Sequence, residues 1–299
     1  MTTDELTKRI AEAARAGQWP QVQPLFVELK RLMVEQGRPL GSNAAMQIVD
    51  ALAEGNKLGA NLLGSAGVSP LILRVRALAG HKIVDRKALQ TAWESLYRLL
   101  ADPTARVEQQ ELHDLMLGLR AARVFDLLAR TADRAVTRNP TDAVARRLYG
   151  QALIDEGQIH AGIEMLESAR RLPLVAEAER DEINGLVGRA YKQLYLDHVP
   201  AGSPPSVRAQ FRVDLERAIE AYALSYDPDR PDRNSSHGVN LVALLQIARQ
   251  DGHAGIKNPT ALEPQELAGR IIDRLELRAA GTADPWLLAT LGECYLGNL

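Results

Sequence analysis

Apolar residues recur every three or four positions along almost the whole of this chain, and what interrupts them is Gly and Pro. Leu6, Ile10 and Ala13 are so spaced, as are Phe26, Leu29 and Leu32, then Ile48 and Leu52, then Leu128, Ala132 and Ala135. This period sets apolar side chains on one face of a helix. Strand-type alternation is almost absent. With only 3 Phe, 7 Tyr and 3 Trp in 299 residues, the core must be built from Leu, Ala, Val and Ile. That favours helices over a β-sandwich or barrel. The breaks carry helix stop and start chemistry: Gly17-Gln18-Trp19-Pro20, Gly37-Arg38-Pro39, Gly55-Asn56, Ser69-Pro70, Asp102-Pro103-Thr104, Asn139-Pro140-Thr141-Asp142 and Glu156-Gly157-Gln158. Gly caps a helix in the left-handed conformation, and Pro just beyond prevents its continuation. These boundaries predict about seven helical hairpins near 4–36, 43–69, 71–102, 107–139, 142–172, 177–227 and 238–279, and a last unpaired helix at 284–297.

Hairpins repeated at a near-constant period are the pattern of an α-solenoid. The strongest repeat is residues 142–174, with Tyr149-Gly150, Leu153, Gly157, Gly162, Leu166, Ala169 and Pro173. Leu117-Gly118, Val187-Gly188-Arg189-Ala190-Tyr191 and Leu291-Gly292-Glu293-Cys294-Tyr295 repeat its core. Gly118 to Gly150 spans 32 residues and Gly150 to Gly188 spans 38, near a 34-residue period. The pattern resembles the tetratricopeptide repeat, in which a small residue at the eighth position lets two helices approach closely. The fold expected is therefore all-α: a continuous right-handed solenoid without a firm internal boundary, with divergent hairpins over 1–106 and tetratricopeptide-like repeats over 107–299.

Two places depart from regularity, Leu196–Pro205 and the polar loop Ser225–Gly238. Around them lie Gly188-Arg189-Ala190-Tyr191-Lys192-Gln193-Leu194-Tyr195, Ala218-Ile219-Glu220-Ala221-Tyr222, Asp227-Pro228, His237-Gly238-Val239-Asn240 and Ala243-Leu244-Leu245. Over roughly 180–252 these resemble the TRAF-binding region of apoptosis-signal-regulating kinases and related bacterial tetratricopeptide domains. The resemblance implies a regulatory part that controls a linked effector, although no effector module is visible.

Several classes of function fall away on composition. Lys and Arg number 36 against 38 Asp and Glu, a net charge of −2, which offers no extended nucleic-acid footprint. The lone Cys294 forms no intrachain disulfide and no Cys-rich metal site. The six His, at 81, 113, 160, 198, 237 and 253, never pair at metal-ligand spacing. There is no phosphate-binding Gly loop ending in Lys-Ser/Thr, no HExxH and no GxSxG. No cofactor is expected. The first ten residues, MTTDELTKRI, are charged where a signal peptide is apolar. The uncharged stretch Leu58–Leu73 is broken by Gly59, Gly64, Gly67 and Pro70, and falls short of the about 20 apolar residues a spanning helix needs. Only 7 of the 36 basic residues are Lys. A cytoplasmic, bacterial protein without a membrane partner is expected.

Five residues are candidates for binding. Arg147, Arg189 and Lys192 occupy the fifth, ninth and twelfth positions of their repeats, which in tetratricopeptide families face the concave side. Arg there offers planar bidentate contacts to an acidic peptide tail or a phosphate, although such side chains also serve as solvated charge over apolar surface. His237 and Asn240, following the polar loop, present hydrogen-bonding groups. Equally, Ser235, Ser236 or Asn240 would cap the next helix. Asp227, Asp229, Asp232 and Asn234 have the look of a calcium loop, but Pro231 stands at the fifth position and the expected Gly and distal Glu are missing, so a turn is expected. Cys294, at helical spacing beside Leu291 and Tyr295, is read as packing.

The function expected is a non-catalytic interaction or regulatory module that binds a peptide or partner protein in its concave groove. The alternative is a sensor of a nucleotide-like or phosphorylated small molecule, closed around by His237, Asn240, Arg189 and Lys192. The final segment Asp284–Tyr295 starts a repeat with no second helix after it and an apolar face containing Trp286, Leu287, Leu291 and Tyr295. The expectation is that the chain is a fragment, or that this helix docks on something outside it.

Overall fold

A computed structural model of the chain describes residues 2–36, 70–80, 84–173 and 175–279, apart from 17, 103, 104, 232 and 254, together with 47, 48, 51, 290 and 292. Among these residues there are helices and connections and no strand. The helices are α1 (Thr3–Arg15), α2 (Trp19–Gln36), α3 (Pro70–Ala79), α4 (Arg86–Ala101), α5 (Gln109–Ala121), α6 (Phe125–Arg138), α7 (Ala143–Asp155), α8 (Ile159–Arg170), α9 (Glu177–His198), α10 (Pro205–Gln210), α11 (Arg212–Ala223), α12 (Ser235–Gln250) and α13 (Pro264–Ala279). This is the all-α, successive-hairpin order of a tetratricopeptide-like solenoid. The hairpin at 43–69 and the last helix at 284–297, with Cys294, lie almost wholly outside the described residues.

The chain divides into two compact units, residues 1–152 and 153–299. In the first, Thr2 and Glu5 form a reciprocal capping box that starts α1, satisfying amides the helix cannot pair itself. Leu6, Ile10 and Ala14 of α1 then pack on Val22, Phe26 and Leu29 of α2. Further on, α3 packs on α4 and α5, α4 on α6, and α5 on α6. Within these four helices each thus packs on its hairpin partner and on its counterpart in the neighbouring hairpin, as in stacked hairpins. The core there includes Trp93, Leu96, Leu115, Met116, Leu119, Leu128 and Leu148, each worth about 1.5–3 kcal/mol on burial. Asp142 starts α7. It is 5% exposed, its Oδ1 accepts from the Ala145 amide at 3.0 Å, and its Oδ2 meets Gln109 Nε2 at 3.0 Å and His113 Nε2 at 2.7 Å.

In the second unit α9 packs on α8 and α11, α11 on α12, and α12 on α13. Its core runs from Tyr195 through Leu215, Ile219, Tyr222, Leu241, Leu245 and Ile271 to Leu275. Two boundaries differ from those read in the sequence. The 196–205 break is followed by the short helix α10, begun by Pro205 in its first turn, where a missing N–H costs nothing. And α12 starts at Ser235 rather than near 238. Its cap is neither Ser235, Ser236 nor Asn240 but Asn234, in the left-handed conformation at φ 54° and without a side-chain cap bond. Asn tolerates that conformation, and its amide is engaged elsewhere.

Candidate functional site

Helix α9 opens with Glu177 and Glu179 in its first turn, favourable at the positive end of the helix dipole. Asp181, Gly185, Gly188 and Lys192 then follow at three- and four-residue steps, so they share one face, and Asn184 lies one turn from both Asp181 and Gly188. Against this face lie the start of α12 and the end of α11. Asn234 Nδ2 donates to Asp181 Oδ2 at 2.9 Å and to the Ser225 carbonyl at 2.8 Å, which holds the turn into α12. Arg233 pairs with Glu177 and lies 3.5 Å from Asp181. Burial works to raise the Asp181 carboxyl, but hydrogen bonds from Asn234 and Ser225 and the charge of Arg233 hold it below the usual carboxylate range.

Two glycines set the helix spacing. A Cβ on Gly188 would come 2.7 Å from the ring of Tyr222, so the eighth-position small residue does what the repeat pattern requires there. Gly185 makes room for the imidazole of His237 in the same way. Gly118 does not: a Cβ there meets nothing within 4 Å. Close helix approach, expected along the whole glycine series, is thus absent at Gly118.

The sequence candidates fall as follows. Lys192 Nζ donates to Asn240 Oδ1 at 2.5 Å, and Asn240 Nδ2 donates to the Ser236 carbonyl at 2.8 Å. Arg189, 40% exposed in its side chain, pairs with Asp155 at 3.1 Å and stands close enough to Tyr222 to act on its phenol. Burial pushes that phenol up to about 12. His237 lies 5.7 Å from the Tyr222 ring centre. Its burial lowers the imidazole below its ordinary value, against the opposing pull of Asp181 and Glu182. Lys192 and Asn240 are thereby joined across α9 and α12, while Arg189 and His237, on the same two helices, each lie near Tyr222. Arg147 is on α7, on the first unit's side of the division, and only 6% exposed.

Sequence reasoning missed Asp155, Asp181, Asn184, Tyr222 and Ser225. Asn184 is 3% exposed and donates from Nδ2 to Ser225 Oγ at 2.8 Å. Its Oδ1, like His237 Nδ1, is buried with no hydrogen-bond partner among the described residues. The signal was there: Asn184-Gly185 sits mid-helix, where both residue types are unfavourable without a tertiary reason. A cavity of about 380 Å³ opens beside this cluster, lined by Asp181, Glu182, Arg233, Asn234, Ser236 and His237 among others. A second cleft of about 320 Å³ lies where α8, α9 and α11 meet. Its arginines pair within their own helices, Arg170 with Glu167 at 2.7 Å and Arg217 with Glu220 at 3.5 Å. The 227–234 loop behaves as a turn, with Asp227 accepting from the Asp229 amide at 2.9 Å and from Arg230 at 3.1 Å. Among the described residues no group of three His, Cys, Asp or Glu is placed to hold a metal ion, and no helix is long and apolar enough to cross a membrane.

Comparison with known families adds one match. Residues 120–245 fit the family described as TPR-S, Tetratricopeptide Repeats-Sensor. Over that span the chain is of tetratricopeptide type. The match takes in α9, α11 and the first part of α12, and therefore Lys192, Arg189, His237 and Asn240. No curated protein and no solved structure matches the chain.

Proposed function

We propose that this protein is a cytoplasmic, non-catalytic recognition module, and that a peptide or partner protein is held on the α9–α12 face by Arg189, Lys192, His237 and Asn240. The observation that carries the reading is the Lys192–Asn240 hydrogen bond. It joins side chains 48 residues apart, inside the repeat-family match, into one polar surface on two helices. Helical repeats bind through such surfaces formed by successive units. Arg189 is bonded to Asp155 through a single nitrogen, so its guanidinium keeps further planar donors for an acidic partner group. Control of a linked effector, and kinship of 180–252 with the TRAF-binding region of apoptosis-signal-regulating kinases, belong to this proposal.

A second reading is favoured by two orphaned polar atoms, Asn184 Oδ1 and His237 Nδ1. Buried polar groups are nearly always satisfied, and a small molecule in the adjoining cavity would reach the same cluster. The family's description as a sensor agrees with it.

One pair of experiments separates the two. A photo-crosslinker placed at the exposed Gln193 should capture a discrete protein in cells, and Arg189→Glu with Lys192→Glu should abolish the product while helicity is retained. If no product forms, and a nucleotide or phosphorylated compound at about 100 times its dissociation constant adds about 2.7 kcal/mol of stability, the sensor reading replaces the first.

A further inference from the structure

In the first unit, the α4–α6 surface carries cations with no ion pair among the described residues. Arg130, Arg134 and Arg138 stand at four-residue steps on α6, a rise of about 6 Å from one to the next. The Arg130 guanidinium lies 4.2 Å from the ring centre of Trp93 and 4.9 Å from that of Tyr97. Arg134 lies 4.7 Å over Tyr97 and donates to its hydroxyl at 2.9 Å. The two rings are themselves stacked, 4.7 Å apart. Arg138 donates to the backbone carbonyls of Leu100, Asp102 and Ala105, which are neutral groups. The two acids of α6 are turned to other uses: Asp126 pairs with Arg86 at 3.1 Å, and Asp133 stands beside Tyr149.

The chain as a whole is slightly acidic, yet α4 and α6 together hold six basic residues and three acidic ones. A guanidinium laid flat on an aromatic ring keeps edge N–H groups for an acceptor in its plane, and its side chain has less freedom left to lose on binding. A row of such groups suits a linear anion better than a single phosphate, which calls for cations that converge. Alternate side chains of an extended peptide are about 6.6–6.8 Å apart, close to the step of the arginines. At one end of the row a hollow of about 310 Å³, lined by Leu100, Ala101, Arg134, Thr137 and Arg138, gives a side chain a seat.

We propose that this face is a second docking surface, and that its occupant is a partner segment running extended along α6 with Asp or Glu at alternate positions. It stands apart from the α9–α12 reading and does not depend on it.

The test is fluorescence anisotropy of the full chain with an alternating Glu-Ser peptide of about 8 residues, which at about 27 Å covers the roughly 21 Å of α6. An alternating Lys-Ser peptide and inorganic phosphate serve as comparators. Saturable binding of the acidic peptide is expected at about 50 mM salt, weakening at about 300 mM as screening tightens. Arg130→Gln with Arg134→Gln should weaken it about tenfold through lost charge-assisted bonds. Arg120→Gln with Arg123→Gln, the same charge removed elsewhere in the unit, should change it far less. Should the first pair unfold the chain, Arg130→Lys with Arg134→Lys keeps the charge, loses the planar fork, and is expected to weaken binding several-fold. The Arg189→Glu, Lys192→Glu variant should bind as the unaltered chain does, which keeps this surface distinguishable from the other. No binding at low salt, equal loss from both glutamine pairs, equal binding of the Lys-Ser peptide, or displacement by equimolar phosphate would each overturn the proposal.

Discussion

Two buried polar clusters, one in each unit, are completed to different extents. In the first, the Trp93 and Asp142 clusters are closed, although Arg74 Nε, Arg134 Nε and Gln151 Oε1 elsewhere in that unit are buried with no hydrogen-bond partner among the described residues. Trp93 donates from its indole nitrogen to Thr131 Oγ1 at 2.8 Å, and Thr131 donates onward to the Leu127 carbonyl at 2.7 Å. Asp142 takes up His113, Gln109 and the Ala145 amide together. In the second, Gly185 meets the His237 ring and Gly188 the Tyr222 ring, and yet Asn184 Oδ1 and His237 Nδ1 have no hydrogen-bond partner among the described residues. Closed networks raise stability and add rigidity, whereas an incomplete one costs stability and points to a site where something else binds. The Trp93 and Asp142 clusters are scaffold, and the Asn184–His237 cluster is where we place recognition.

The largest effect that would sharpen this contrast is expected from Asp142→Ala. It removes the α7 cap, worth about 1 kcal/mol, and strands His113 and Gln109, at about 1–3 kcal/mol more. Denaturant unfolding followed by circular dichroism should show a loss of about 3 kcal/mol; a loss below about 1 kcal/mol would mean the network is not closed. The same residue carries a pH signature. Although burial opposes it, bonding to His113 and to the Ala145 amide holds the Asp142 carboxyl below its usual range. The stabilisation is therefore complete above the unfolded carboxylate value of about 4 and lost as pH falls through the lower folded value. Asp142→Asn should flatten that acid limb.

Next in size is the glycine pair. Gly188→Leu forces a side chain into the Tyr222 ring and should cost about 1–3 kcal/mol. Gly118→Ala meets open space in mid-helix and should add up to about 1 kcal/mol, since Ala is the better helix former. If both substitutions move the unfolding midpoint in the same direction, the difference drawn between the units fails.

The smallest effect is expected at His237. Burial lowers its imidazole pKa, so below about pH 6.5 the unfolded chain takes up a proton that the folded chain resists. Stability should fall as pH drops through that range, and His237→Gln should remove this part of the slope. A slope unchanged by the substitution would show that His237 is not held neutral by the packing around Gly185 and Tyr222.

Much of the architecture could be read from local chemistry. Gly157 adopts φ 82°, as a helix-ending glycine does, and Asn139-Pro140-Thr141-Asp142 lies between α6 and α7 as its residue types require. The start of α12 was misjudged because the competing caps Ser235 and Ser236 are good ones; what decides is that Asn234 is tied to Asp181, 53 residues away. The site was legible in part. Arg189, Lys192, His237 and Asn240 stand out by repeat position and loop context, but their partners Asp155 and Asp181, and the orphaned Asn184, carry no local mark.

Periodicity, punctuation and small-residue spacing act over three to forty residues along the chain, and by themselves they determine that this protein is helical and built from successive hairpins. Which glycine meets a ring, which arginine finds a carboxylate and which polar atom is left over depend on side chains brought together from distant segments. Gly118 and Gly188 have the same local signature and opposite surroundings. Arg189 finds Asp155, while Arg130, among the described residues, finds aromatic faces. Those outcomes belong to the tertiary structure, because hydrogen bonding and close packing are decided by distances of a few tenths of an ångström that no spacing along the chain encodes.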